Sequence, residues 1–418
     1  MMYIKQIVLL VLLTLFQPNT LIAQTQSSEK DFSDYYSLVY QIQVISPEAG
    51  SKTSFGSGFQ VTSDGLIMTN FHVVSNFINS PDSYEIHYVD KDDNKGKLKL
   101  VNFDVVNDLA LLQHPSPSND YFKFSAIPSL KGETLYALGN PHDWGMVMVP
   151  GPNNGLVDNS YNEQILFSGS LNSGMSGGPS VNKDGEIVGV NVATAGSQLS
   201  FLIPVKHAIT LTNKGALHES DNYQSEISSQ IRAWQEHRLG ELISADWTKE
   251  NFADRKVIGE LRRDFRCWGE SNEDEVDRRY SDASRYCYTT DNIYVANDLD
   301  IGELSFWFSD SQSLELNQFQ FANSQAVPMY ANTNSAFEHS TNFRCNADFL
   351  NSQENTISGY IRVTTCIRAY KNLPGLYDSV LLIQEHETLN SFSASMSISG
   401  AEKHQIKALN KKFIESAL

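Results

Sequence analysis

Short runs in which apolar and polar residues alternate dominate the chain from about residue 35 to residue 215. Residues 57–61 lead through Asp64-Gly65 into residues 66–69, and Asp184-Gly185 stands between two similar runs. An Asp-Gly pair between alternating runs is typical of a β-hairpin. Extended helical periodicity is missing here. The pattern therefore predicts many short antiparallel strands, arranged as a sandwich or barrel.

A helical pattern follows this region. Apolar residues recur at helical spacing between residues 225 and 243, at Ile227, Ile231, Trp234 and Leu242. Such a stripe predicts an amphipathic helix that packs against a neighbour. We expect residues 216–262 to form a helical connector.

The last part of the chain, residues 263–418, returns to alternation and predicts a β-rich accessory domain. Phe265-Arg266-Cys267 recurs as Phe343-Arg344-Cys345, which suggests an internal duplication of residues 265–335 and 343–400. The expected strands of these two units are 304–308, 319–321, 380–383 and 392–398. A capping-box pattern at 399–402, followed by a helical apolar stripe, predicts a terminal helix over residues 400–417.

All four cysteines lie in this accessory region, and none has the close spacing of a zinc site. The parallel spacing of the two units favours disulfides Cys267–Cys287 and Cys345–Cys366, although four cysteines allow three connectivities.

Length, charge and the N-terminus narrow the class of protein. A chain of 418 residues suggests two or three domains. A formal charge of -18 argues against a general nucleic-acid or anionic-membrane binder. Residues 1–23 resemble a secretory signal, with Lys5, a short apolar run and a cleavage site after Ala23. We expect export to the periplasm or medium, without stable membrane insertion after cleavage.

Candidate chemistry is concentrated in the glycine-rich segment 174–179, Gly-Met-Ser-Gly-Gly-Pro. Glycines allow a tight turn that exposes the hydroxyl of Ser176. The same turn can aim the N–H groups of Gly174 and Ser176 at one point, which is the geometry of an oxyanion hole. A serine alone is a poor nucleophile, so this interpretation requires a base and an orienting acid elsewhere.

Two earlier residues can supply them. His72 follows the predicted strand 66–69, where we expect it at a strand end, and Asp108 opens the apolar run 109–112. Each position alone is more typical of a structural residue.

Together, His72, Asp108 and Ser176, in this order and with these neighbours, resemble the triad of the trypsin-like serine peptidases, in particular their bacterial HtrA/Deg-like branch. The resemblance covers roughly residues 36–210. Further matching pieces are residues 56–59, 138–141 and 201–205. It implies a mainly β fold, with two six-stranded antiparallel barrels and an active site in the cleft between them. It also implies the triad roles of nucleophile, base and orienting acid.

The resemblance also implies a substrate site. The base of the pocket for the P1 residue, which precedes the scissile bond, would be the neutral Ser170. An Arg/Lys preference is therefore not expected, and a small or medium apolar P1 residue is. The strand containing Val190, Asn191 and Val192 would pair with the substrate backbone, and Leu202 would help line the pocket.

Three features depart from the family pattern. Met175 replaces the aspartate that forms the activating ion pair in trypsin zymogens, so no switch of that kind is expected. A turn-rich stretch at 150–155 lies where the family has a regulatory loop, although a surface loop without a role is equally compatible. No PDZ pattern follows the protease region.

The leading hypothesis is an exported serine endopeptidase without a metal or cofactor, acting on protein or peptide substrates. The alternatives are an HtrA-like quality-control protease and chaperone, or a binding protein on a peptidase scaffold. A homo-oligomer or a partner of the accessory domain fits each of them.

Overall fold

The computed structural model describes residues 33–141, 144–196, 198–217, 222–325, 336–350 and 360–417. The expected signal segment 1–23 lies outside these residues. Residues Ser33–Leu418 form one compact unit, which contains both the protease region and the accessory region. In the described residues, none of the helices is both long and apolar enough to cross a membrane.

The first barrel is closed and antiparallel, with strand order β1-β2-β3-β6-β5-β4. Its strands are β1 (Val39–Ser46), β2 (Ser51–Gln60), β3 (Leu66–Thr69), β4 (Glu85–Val89), β5 (Lys95–Asp104) and β6 (Leu109–Gln113). The predicted hairpin at Asp64-Gly65 joins β2 to β3, with Phe59 opposite Met68. A closed barrel leaves no free sheet edge.

The second barrel is also closed, in the order β10-β11-β12-β9-β8-β7. Its strands are β7 (Thr134–Gly139), β8 (Val147–Leu156), β9 (Ile165–Phe167), β10 (Pro179–Val181), β11 (Ile187–Gly196) and β12 (Leu199–Pro204). The prediction of turn structure at 150–155 was wrong, because these residues belong to β8. Pro150 and Pro152 face β7 in the register, and pairing with β9 begins only at Asn153. Proline is tolerated where one strand edge carries no ladder.

Two short helices accompany the barrels, α1 (Phe71–Asn79) and α2 (Val205–Lys214). His72 therefore lies in the first turn of a helix, and the expectation of a strand end was wrong. Phe71, Val74 and Ile78 are fully buried on one face of α1. This three- and four-residue spacing overrides the β pattern of the preceding run.

The predicted long helix is present as α3 (Tyr223–Ser244), and the Asn222 side chain caps its N-terminus. The remainder of the expected helical connector is different, because residues 249–258 form a hairpin of β13 (Lys249–Phe252) and β14 (Arg255–Ile258). The predicted stripe of α3 is buried, and its two ends enter different cores. Ile227 and Ile231 join the core of the first barrel, whereas Leu242 joins that of the accessory region.

The accessory region is built on one seven-stranded antiparallel sheet, in the order β15-β16-β19-β23-β22-β21-β20. Its strands are β15 (Phe265–Ser271), β16 (Tyr280–Thr289), β19 (Leu304–Ser313), β20 (Arg344–Leu350), β21 (Tyr360–Ala369), β22 (Tyr377–His386) and β23 (Asn390–Ala401). A separate small hairpin, β17 (Ile293–Ala296) with β18 (Leu299–Ile301), interrupts the sequence between β16 and β19.

Both disulfides have the predicted pairing. Cys267 bonds to Cys287 across β15–β16, and Cys345 bonds to Cys366 across β20–β21. The two proposed repeats thus supply the two opposite edges of one sheet. Each edge is a disulfide-linked hairpin. Such links restrict the unfolded chain, and they stabilise edge hairpins that have a neighbour on one side only.

Two local predictions in this region were wrong. Residues 319–321 lie in the helix α4 (Gln318–Ser324), because Asn317 and Gln320 form a capping box that starts a helix. A short helix, α5 (Ala336–His339), follows. The last helix, α6 (Lys403–Ala417), begins three residues later than predicted. The Ser399 hydroxyl accepts the Gly302 N–H at 2.8 Å and does not cap the helix.

A buried cation joins α3 to the accessory region. Arg238 is 0% exposed, and its Nη1 donates to the carbonyl of Gly302. Its guanidinium lies 4.6 Å from the ring centre of Trp234 and 4.0 Å from the carboxylate of Asp264. Burial lowers the pKa of Arg238 to about 10, which leaves it charged at neutral pH. Removing a partner of a buried charge is strongly destabilising, so the contacts with Gly302 and Asp264 tie α3 to the accessory region.

Candidate active site

His72 and Asp108 form the most ordered part of the site. The Nδ1 of His72 and Oδ2 of Asp108 are 2.7 Å apart, and the His72 backbone N–H donates to Oδ1 at 2.8 Å. A carboxylate accepts only, so the bond places the imidazole proton on Nδ1. The Nε2 lone pair is then left to act as a base.

The start of α1 explains why Asp108 lies here. Asn70 is the N-cap residue, yet its side chain does not cap the helix and instead donates to the carbonyl of Asp108 at 2.8 Å. The second amide of the helix, that of His72, is capped by Asp108 from the turn between β5 and β6. A carboxylate at a helix N-terminus is favoured by the helix dipole. Asp108 has a φ of 52°, a left-handed conformation that aspartate tolerates better than most residues.

Two opposing effects set the basicity of His72. Burial lowers its pKa, but attraction to Asp108 and the hydrogen bond to it together outweigh burial, so the pKa of His72 lies above its ordinary 6.5. The side chain remains 30% exposed. It can therefore exchange a proton with a group in the cleft.

Ser176 lies on the predicted glycine turn, between β9 and β10. Gly174 and Gly177 have φ values of 96° and 82°, which favour glycine strongly. At Gly177 a Cβ would also collide with the carbonyl of Ser57. Met175 is 0% exposed and packs into the core of the second barrel, beside Leu171 and Leu202 among others. A buried apolar anchor thus replaces an ion pair in this loop.

Ser57 of β2 holds the turn from the first barrel. Its hydroxyl donates to the Gly174 carbonyl at 2.7 Å and accepts the Asn140 N–H at 3.0 Å. Its backbone N–H donates to the Ser176 carbonyl at 2.7 Å. Across the described residues, the N–H groups of Gly174 and Ser176 donate to no protein acceptor. Two donors fixed by a buried network are the elements that an oxyanion hole requires.

The hydroxyl of Ser176 does not point at His72. It donates to the backbone carbonyl of Val192 at 2.6 Å. Within the described part of the chain, Ser176 and His72 share no hydrogen bond. The hydroxyl of Ser176 is therefore bonded to the backbone of β11 and not to the imidazole of His72.

The predicted substrate residues lie in two environments. Ser170 is exposed at the protein surface, and Val192 is half-buried beside Ser176. Val190 and Leu202 are fully buried. Asn191 is fully buried as well, and its amide donates to the carbonyls of Leu138 at 2.9 Å and of Met175.

The register of β11 explains this division. Val190 faces Pro179 of β10 on one side and Ile203 of β12 on the other, so both of its edges are paired. From Val192 onward, β12 is the one partner strand in the described residues. The open edge of β11 therefore begins at Val192.

Sequence reasoning missed three residues that the structure places at the site. Ser57 lies in the segment 56–59 that carries the family resemblance, and Asn70 directly precedes α1, so both had a local signal. Tyr294 lies 6.1 Å from His72 between ring centres and comes from the accessory region, beyond the reach of any local pattern.

Comparison with known proteins agrees with this geometry. Residues 56–190 match the family model of the trypsin-like peptidase domain. The chain is similar to proteins named "Probable periplasmic serine endoprotease DegP-like". The one from Marinomonas sp. (strain MWYL1) is 31% identical over 183 residues, covering 41% of this chain and 38% of the relative. The one from Pseudomonas putida (strain W619) is 34% identical over 171 residues, covering 38% and 34%. The chain thus spans less than half the length of these relatives.

Solved structures are similar to part of the chain as well. The active form of the Rv3671c protease from M. tuberculosis is 20% identical, with a TM-score of 0.41, and the match covers 47% of this chain and 88% of that one. The serine endoprotease from Yersinia pestis is 24% identical, with a TM-score of 0.39, covering 44% and 64%. Residues 56–190 are thus identified with the trypsin-like peptidase domain, and this part of the chain is similar to the DegP-like endoproteases.

Proposed function

We propose that the protein is a serine endopeptidase in which Ser176 is the nucleophile, His72 the general base and Asp108 the orienting acid. The observation that carries this proposal is the double contact of Asp108 with the backbone and ring of His72. It fixes one tautomer and leaves Nε2 free to accept a proton. Asp108 also stabilises the imidazolium that forms when the serine proton is taken.

The reaction begins with a rotation of Ser176. Its hydroxyl leaves the Val192 carbonyl, at a cost of about 1 kcal/mol for one neutral hydrogen bond. It then attacks the scissile carbonyl while His72 takes its proton. The N–H groups of Gly174 and Ser176 stabilise the oxyanion, and His72 returns the proton to the leaving amine. Water hydrolyses the acyl-enzyme by the same route in reverse.

The substrate backbone extends the second barrel. The open edge of β11 from Val192 onward offers main-chain donors and acceptors to an extended peptide. Ser170, the predicted base of the P1 pocket, is exposed and carries no charge, which fits a small or medium apolar P1 residue. Val190, Asn191 and Leu202 support this edge from within the core.

The setting is extracytoplasmic. The curated relatives are named periplasmic proteins, and both cysteine pairs of this chain are oxidised to disulfides. Such bonds persist in oxidising compartments. Protein or peptide substrates follow from the endopeptidase assignment, in line with the relatives, which are named endoproteases.

Active-site labelling tests the proposal. A fluorophosphonate probe should label the wild-type chain at Ser176 and should not label Ser176→Ala. Peptide cleavage should disappear in the same variant, while its unfolding temperature stays close to wild type. An unlabelled and inactive wild-type protein would instead support a binding protein on a peptidase scaffold.

A further inference from the structure

A cavity of about 740 Å³ lies next to His72 and has walls from three parts of the chain. The first barrel, the second barrel and the β17–β18 hairpin of the accessory region each contribute to it. Its apolar lining residues, in that order, are Val105 and Val106, then Val157, Val192, Phe201 and Ile203, then Ile293 and Tyr294. His72 and Asp108 also line the cavity, together with polar residues that include Glu163, Arg266 and Asp291.

Tyr294 stands directly opposite the catalytic base. Its ring is edge-on to that of His72, at 80° between planes and 6.1 Å between centres. Its hydroxyl donates to Asn297 at 3.0 Å and lies 3.4 Å from the hydroxyl of Ser75, which is on the same helix as His72. These contacts fix the ring in one orientation.

The hairpin that carries Tyr294 is part of the wall and is firmly attached. Ile293 and Val295, on either side of Tyr294, are 2% and 1% exposed and belong to the core of the first barrel. The Asn79 side chain at the end of α1 donates to the Val295 carbonyl at 2.9 Å. Because Ile293 and Val295 are held in that core, the hairpin is fixed in place, and with it Tyr294 beside His72.

The facing wall is held by the same segment. Asp291 accepts the Ser160 hydroxyl at 2.5 Å and the backbone N–H groups of Tyr161 at 2.7 Å and Asn162 at 3.2 Å. These three residues lie in the connection between β8 and β9 of the second barrel. The accessory region therefore fixes both the width of the cavity and the ring that projects into it.

The direction of a bound peptide assigns the cavity to one substrate position. An extended peptide along β11 turns successive side chains to opposite faces. In the proposed function the P1 side chain lies on the side of Ser170, so the side chain of the preceding residue, P2, lies on the opposite face of the peptide. Val192, where the open edge begins, lines the same cavity as His72 and Tyr294, and we assign P2 to this cavity. Val105, Val192 and Phe201 give it apolar walls, and the Tyr294 ring limits the space.

We propose that Tyr294, supplied by the accessory region, is a specificity-determining residue that restricts the P2 position to small or medium apolar side chains. This inference rests on the proposed endopeptidase function. A large aromatic P2 side chain would meet the Tyr294 ring, whereas a branched aliphatic one fills the space between Val105 and that ring.

Cleavage profiling of the full chain with a diverse peptide library tests the inference. Wild type should favour small or medium aliphatic P2 residues. Tyr294→Ala should raise the ratio of kcat/KM for Phe over Val at P2 by about tenfold or more, the scale expected for apolar groups in a pocket. Tyr294→Phe retains the ring and should keep the wild-type P2 ranking. Phe319→Ala is the matched control, because Phe319 is an accessory-region aromatic that is 77% exposed.

The outcomes separate the two proposals. If wild type neither reacts with fluorophosphonate nor cleaves peptides, the proposed function is wrong and the inference falls with it. If wild type reacts and cleaves, but Tyr294→Ala has the same P2 profile, the inference alone is wrong. Should Tyr294→Ala fail to fold, Tyr294→Leu preserves an apolar contact, shortens the side chain and should shift the profile in the same direction.

Discussion

The two barrels differ in how the side chains that they contribute to the candidate site are hydrogen-bonded. On the first barrel, His72 and Asp108 are joined by two hydrogen bonds of 2.7 and 2.8 Å. On the second barrel, the backbone of the nucleophile turn is anchored, but the hydroxyl of Ser176 is bonded to Val192. The proposed base is thus paired with its proposed orienting acid, whereas the hydroxyl of the proposed nucleophile is bonded to the backbone of β11.

The difference follows from what packs on each side. The helix of His72 is enclosed by the β17–β18 hairpin and by α3, whose apolar residues share its core. The turn of Ser176 is held by Met175 in the core of the second barrel and by the Ser57 hydroxyl from the first barrel, while the Ser176 hydroxyl is bonded to Val192. The proposed mechanism therefore requires this hydroxyl to exchange its bond to Val192 for one to His72.

On the first barrel, replacing Asp108 with asparagine should give the largest loss of activity. The imidazole loses the acceptor that fixes its tautomer, so kcat should fall by about 10⁴-fold. The pKa of His72 should fall as well, because the attraction that raises it is removed. Steady-state kinetics and the histidine NMR titration measure the two changes.

Asp104→Asn serves as a control. Asp104, at the end of β5, bonds to Asn107 in the turn that carries Asp108, and it forms no hydrogen bond with His72 in the described residues. A drop in kcat of less than tenfold in Asp108→Asn would mean that the backbone amide and not the ring is the functional partner of Asp108.

On the second barrel, where the backbone of the Ser176 turn is anchored, substitution of Met175 should have the largest effect on stability and activity. Met175→Ala removes a fully buried side chain and should lower the free energy of unfolding by about 2–5 kcal/mol. The space left by this substitution lies under the turn that carries the N–H groups of Gly174 and Ser176, the proposed oxyanion donors. We therefore expect kcat to fall by a larger factor than KM rises. Met175→Leu conserves volume and should cost less than about 1.5 kcal/mol. Chemical denaturation and kinetics of both variants test this, and an unchanged kcat in Met175→Ala would show that the turn is ordered by other contacts.

Sequence patterns were informative wherever the signal was local. The Asp64-Gly65 turn predicted the β2–β3 hairpin, and the parallel cysteine spacing predicted both disulfides. The triad positions follow from short motifs, and the structure brings His72 to Asp108 as the resemblance implies. These features depend on a few consecutive residues, whose conformational preferences act before tertiary contacts form.

The features that the sequence did not predict depend on contacts between distant parts of the chain. Pro150 and Pro152 indicate a turn, yet both lie in β8. The strand accommodates them because they pair with β7 only, and pairing with β9 begins after them. The apolar residues after Thr69 continue a strand pattern, and only the packing of Phe71 against the first core makes them helical. The contact of Tyr294 with His72 joins residues more than 200 positions apart, and no pattern in either segment encodes it.

A smaller effect is expected at Ser57, which connects the two halves. Ser57→Ala leaves the buried Gly174 carbonyl and Asn140 N–H without their partner, which costs about 1–3 kcal/mol of stability. The oxyanion donors lose their lateral support, so kcat should fall by about tenfold. Ser51→Ala, at an exposed position of the same strand, is the control for denaturation and kinetics. Equal behaviour of the two variants would remove Ser57 from the positioning network.

The smallest expected effect is the pH dependence of activity and stability that the His72–Asp108 pair of the first barrel causes. Since the pKa of His72 is raised in the folded protein, the acid limb of kcat/KM should have its midpoint above pH 6.5. The stability that the ion pair contributes is fully present below the unfolded pKa of His72. It is lost as the pH rises through the folded pKa. The difference in unfolding free energy between wild type and Asp108→Asn should therefore shrink from pH 5.5 to pH 9. A difference that grew with pH would mean that burial, and not Asp108, controls the protonation of His72.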